Sequence, residues 1–121
     1  MSIRAKLFSK NGKKTEKLEG VMVRHVILWQ LKDGCPKEEK ENIKKEIKLG
    51  LEGLKGKIPG LLEIHVQTER LSSSNAEIML DSTFESEADL LAYAVHPEHV
   101  KVADGKVRPN VQTRMCMDYK I

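Results

Sequence analysis

Residues Val21 to Leu31 (Val-Met-Val-Arg-His-Val-Ile-Leu-Trp-Gln-Leu) form a β-branched run with one aromatic, closed by Asp33-Gly34. Such a run reads as a strand. Val21, Val23, His25, Ile27, Trp29 and Leu31 line one face; Met22, Arg24, Val26, Leu28 and Gln30 line the other. Both faces are apolar in the middle, so both need a cover. That requirement excludes a simple sheet with one wet side.

The rest of the chain supplies one layer of cover. Pro36 stands at a helix start, with Glu38 and Glu39 near the positive end of the dipole. Ile43, Ile47, Gly50, Leu51, Leu54 and Ile58 follow at helical spacing, which predicts a helix from Pro36 to about Gly56, before Pro59-Gly60. Leu61 to Thr68 alternates as a half-buried strand, with Leu62, Ile64 and Val66 on its apolar face. Glu77 to Phe84 is a third strand. Ser86-Glu87-Ala88-Asp89 is a capping pattern that opens a second helix to about Val95. His96-Pro97 interrupts it, and a helical turn resumes over Glu98 to Val102 or Ala103. Val111 to Ile121 alternates as the fourth strand.

The order is βαββαβ, the ferredoxin-like α+β pattern of a four-stranded antiparallel sheet with helices on one face. Two helices cover one face only. Either Val23, Ile27 and Trp29 or Val26 and Leu28 therefore point away from them. A bare apolar face of that size marks an association surface. Two sheets packed face to face would cover it, giving a homodimeric α+β barrel.

Charge divides the chain differently. Residues 1–20 carry six basic groups and two acidic ones, a net of +4. Residues 21–121 carry 15 basic and 16 acidic groups, a net of −1. We read 1–20 as a basic arm, with a short strand at Ile3 to Phe8, and 21–121 as the domain. The arm lacks an arginine cluster or a dense basic run, and aromatics are 4% of the chain, so nucleic acid is not the expected partner. No apolar run approaches the ~18 residues of a membrane span, and no apolar stretch follows the basic start as a secretory leader would require. Cys35 and Cys116 are too few for a disulfide framework and suit a reducing cytoplasm.

Candidate chemistry gathers around the second helix. Tyr93, His96 and His99 recur at intervals of three, so a near-helical path puts them on one side. A histidine beside a phenol can relay a proton near neutral pH, which enolisation of a carbonyl compound requires. His96 can instead cap the broken helix, and His99 can fill a polar corner. His25 and Trp29 sit among apolar neighbours on the first strand. Two histidines at H-x-x-H spacing make an incomplete zinc site, and neither cysteine stands at ligand spacing, so no metal and no cofactor is expected. No GxGxxG, P-loop, GxSxG or HExxH pattern is present.

Across residues 21–121 the chain resembles the stress-responsive A/B barrel domain (Dabb) family. The matching stretches are Val23 to Trp29, Lys57 to Leu61, Thr83 to Ser86, Tyr93 to His99, Val107 to Pro109 and Met117 to Tyr119. The resemblance implies a dimeric α+β barrel without fixing one activity. In a plant polyketide cyclase of this family, the histidine of an H-P-x-H motif is the general base; it matches His99. The partner tyrosine matches Tyr93, and a first-strand pocket histidine matches His25. A helix tyrosine and a third-strand histidine of that cyclase have no counterpart here, where Ile78 takes the latter position.

Two functions follow as expectations. The first is a homodimer binding a small apolar or aromatic ligand in the barrel, in a pocket bounded by the second helix. The alternative is a cofactor-independent cyclase, isomerase or monooxygenase-like enzyme. In it His99 and Tyr93 would be catalytic, with His25, His96 and Trp29 contacting the ligand.

Overall fold

The computed structural model describes residues 21–121; the basic arm and the strand expected at residues 3–8 lie outside them. The strands are β1 (Val23–Leu31), β2 (Leu61–Gln67), β3 (Ile78–Phe84) and β4 (Val111–Lys120). The helices are α1 (Lys37–Glu52), α2 (Glu87–Ala94) and α3 (Pro97–Val102). The sheet order is β2-β3-β1-β4 and all pairings are antiparallel. This is the ferredoxin-like βαββαβ sandwich, with helices on one face.

Alternation along β1 decides which side is which. Val23, His25, Ile27, Trp29 and Leu31 are buried beneath the helices, while Arg24, Val26, Leu28 and Gln30 face away. The buried set joins Ile47 and Leu51 of α1, Ile64 and Val66 of β2, Ile78, Leu80 and Phe84 of β3, and Leu90 and Tyr93 of α2 in one core. Of the two arrangements that alternation allows, the one with Val26 and Leu28 outward is realised.

Four details differ from the pattern read along the chain. Pro36 is the N-cap of α1 rather than its first helical residue. The helix stops at Glu52, and Gly56 takes the left-handed φ of +88°, yet Leu54 and Ile58 remain buried in the turns that follow. A bulge at the start of β2 lets Leu61 as well as Ile64 reach the core, and Leu62 is only half-buried. Between α3 and β4 the chain makes a π-helical turn over Ala103–Val107, which buries Ala103 and Val107.

Gly60 fixes the entry to the site. Its φ is +83°, and a Cβ there would stand 2.3 Å from the Asp89 side chain. Only glycine lets β2 begin against the first turn of α2. Ser86 caps that turn, its hydroxyl accepting the Asp89 N–H at 3.1 Å.

Candidate functional site

Between the sheet and the α2–α3 segment lies a cavity of about 190 Å³. Its walls are mostly apolar, among them Ile27 and Trp29 of β1, Leu80 of β3 and Leu90 of α2. His25, Tyr93, His99, Arg108 and Arg114 are the polar residues among its lining.

These side chains meet because the chain breaks at Pro97. The His96 side chain turns back, its Nδ1 accepting the Glu98 N–H at 3.1 Å as the N-cap of α3. His99 then falls one turn into α3, where its ring lies 4.2 Å from that of Tyr93, tilted by 33°. Its Nδ1 stands 3.3 Å from the carbonyl oxygen of Ala94 and donates to it in the Nδ1–H tautomer. Tyr93 packs on Phe84 at 4.9 Å, and the His25 ring meets Tyr93 edge-on at 6.1 Å. The cavity thus brings His25, Trp29, Tyr93 and His99 together. His96 is not among its lining residues.

Burial sets the protonation states. The Tyr93 hydroxyl is enclosed without a hydrogen-bond partner among the described residues, and burial pushes its pKa well up. Burial pushes the His99 pKa down, opposed by the Ala94 carbonyl and reinforced by the charges of Arg108, Arg114 and His25. Near neutral pH the site therefore holds a neutral imidazole beside a protonated phenol.

Sequence spacing did not reveal the groups behind His25. The β1–β4 register sets His25 opposite Asp118 and Ile27 opposite Cys116. His25 Nδ1 lies 2.5 Å from Asp118 Oδ1, and Cys116 Sγ lies 3.9 Å from the same nitrogen. The Ser82 hydroxyl donates to the His25 carbonyl at 3.1 Å and ties this part of β1 to β3. Residues more than 90 positions apart carry no local signal of such a contact; only the strand register could have shown it.

A four-stranded antiparallel sheet with a helix-side cavity defines the ferredoxin-like α+β class, and comparison narrows it. The profile of the stress responsive A/B barrel domain family matches residues 23–121, and the chain belongs to that family. A dimeric protein of unknown function with a ferredoxin-like fold, from Bacteroides fragilis, is 33% identical with a TM-score of 0.77; the alignment covers 83% of this chain and 96% of that one. A stress-response A/B barrel domain-containing protein of Arabidopsis thaliana is 38% identical over 60 residues, 46% of this chain and 23% of its own length. This chain thus matches about a quarter of that protein. A hydroxynitrile lyase from Passiflora edulis shares the fold at a TM-score of 0.63 and 20% identity, over 83% of this chain and 93% of its own.

Proposed function

We propose that this chain is a homodimer in which each subunit binds one small aromatic or apolar molecule in the cavity beneath α2. The observation that carries the reading is the mostly apolar chamber, with the Tyr93 hydroxyl buried at its wall and unpartnered among the described residues. An enclosed donor without an acceptor costs about 1–3 kcal/mol, and a ligand oxygen that accepts from it would recover that cost. A dry cavity of about 150 Å³ holds one benzene ring. A cavity of about 190 Å³ suits one ring with a short substituent. The dimer is supported by the open face of the sheet and by relatives described as dimeric.

The neutral His99 ring against Tyr93 favours a second reading, proton transfer without a cofactor. A bound aryl ketone would accept a hydrogen bond from Tyr93 on its carbonyl oxygen, while His99 removes the adjacent C–H proton. His25 and Trp29 would then line the wall.

Acetophenone tests both readings. Trp29 is the chain's single tryptophan and lines the cavity, so its fluorescence reports binding directly. Saturable quenching, weakened in His99→Ala while the protein stays folded, is expected of the binding reading. Exchange of the methyl protons in D₂O faster than buffer alone, lost in His99→Ala, is expected of the enzyme reading. Native mass spectrometry of the purified protein gives an unbiased check. An empty protein that also leaves Trp29 unmoved by acetophenone and other single-ring ligands overturns the function.

A further inference from the structure

We infer that His25, Cys116 and Asp118 form a three-ligand site for a borderline-soft divalent cation, zinc by preference, on the β1–β4 ladder. The three donor atoms all lie within 4.8 Å of one another. Cys116 Sγ is 3.5 Å from Asp118 Oδ1 and 3.9 Å from His25 Nδ1, and those two are 2.5 Å apart. Zinc bond lengths of about 2.0–2.3 Å in a tetrahedron put neighbouring donors about 3.4–3.6 Å apart. Both sulfur edges are already close to that. The nitrogen–oxygen edge must open by roughly 0.9 Å, which is what replacing the shared proton by a metal ion does.

Charge and placement agree with this assignment. A thiolate, a carboxylate and a neutral imidazole balance a 2+ ion, so the loaded site carries no net charge. His25 is held from behind by the buried backbone of β1, and the other two donors stand two residues apart on one face of β4. This rigid pairing presets the geometry, which loops would not. The site opens on a second groove of about 330 Å³ between β4 and α2, lined also by Glu87, Leu91 and Arg114. Three protein ligands facing an open groove leave a fourth position for water or a small anion, the arrangement of catalytic rather than structural zinc. Arg114, which shares the groove with the thiol, opposes cation entry by charge.

The test uses the full-length chain with Cys35→Ser, which removes the other thiol, and cobalt(II) as the spectroscopic stand-in for zinc. One equivalent of cobalt per chain should produce visible bands of four-coordinate cobalt and a near-ultraviolet thiolate-to-metal band, both erased by zinc. Cys116→Ala should abolish the thiolate band, and Asp118→Asn should weaken binding at least tenfold. Cys116 is exposed, so its replacement leaves the fold intact, which circular dichroism verifies. A Cys35→Ser protein that gives no thiolate band with cobalt overturns the assignment, as does a band that survives Cys116→Ala. Neither outcome depends on what the cavity beneath α2 binds.

Discussion

The two faces of β1 are built from similar apolar residues and end in opposite states. On the helix side Val23, His25, Ile27, Trp29 and Leu31 are all buried. On the other side Leu28 is 37% exposed, and its β4 neighbours Met115, Met117 and Tyr119 are 70%, 68% and 40% exposed. The covered side tolerates polar groups because they are held: His25 by Asp118, and its carbonyl by Ser82. The open side carries a charged pair, Arg24 with Asp81 at 3.6 Å, beside a methionine-rich strip. Flexible thioethers suit a surface that must fit a second surface. One strand thus serves two cores, one inside the subunit and one that a second subunit would complete.

The largest expected effect tests that second core. Leu28→Lys with Met117→Lys places four like charges across a two-fold interface and removes four large apolar side chains from it. At about 1.5–3 kcal/mol per buried side chain, dimerisation should weaken by three orders of magnitude or more. Light scattering should fall from twice the 13.7 kDa chain mass to one chain mass. Leu91→Lys, on α2 and already 66% exposed, should leave the dimer intact. A wild-type protein that is monomeric at micromolar concentration breaks the comparison at once.

The next effect belongs to the covered side. Tyr93→Phe deletes an enclosed hydroxyl that has no partner among the described residues, so the ligand-free protein should gain about 1 kcal/mol, seen as a Tm several degrees higher. The same change should weaken acetophenone about tenfold in the Trp29 titration. A destabilised variant would mean that the hydroxyl is hydrogen-bonded in solution.

Protonation of His99 gives a smaller effect with a definite sign. Its folded pKa lies below the ordinary histidine value, chiefly through burial, so the unfolded chain binds the proton more readily. The corresponding stability is present above pH ~6.5 and is lost as pH falls from there through the folded value. Wild-type Tm should therefore drop more between pH 7.5 and pH 5 than that of His99→Gln. Equal slopes would show that the ring is solvated.

These contrasts also show what the chain reveals before it folds. Alternation in β1 and β4, the stripe of α1 and the Ser86 cap are local signals, and each is realised within a few residues of where it was expected. Tyr93 and His99 were legible as a pair because both flank one proline break. Leu62 was not, because a bulge shifts register by one residue and turns side chains over. The π-helical turn over Ala103–Val107 also gave no sign, since Asp104-Gly105 reads as loop. Asp118 and Cys116 join His25 only through a pairing that spans the whole domain. Local patterns thus foretold the walls of the cavity but not the groups behind them.

The smallest expected effect asks what covers the open face. The family match begins at residue 23, and the core built by the described residues starts with Val23. Deleting residues 1–20 should then leave the subunit fold and the dimer unchanged, with a Tm shift below about 5 °C. It should also remove the net +4 of the arm, so retention on a cation exchanger falls while the mass still corresponds to two chains. The deletion separates two ways of covering Leu28 and Met117. If a second sheet covers them, the truncated chain stays dimeric and Leu28→Lys with Met117→Lys still splits it. If the arm itself lay over that face, truncation would lower the Tm by more than about 5 °C and expose the methionine strip to hydrophobic dyes. The second core would then be assigned to residues 1–20 instead of to a second copy.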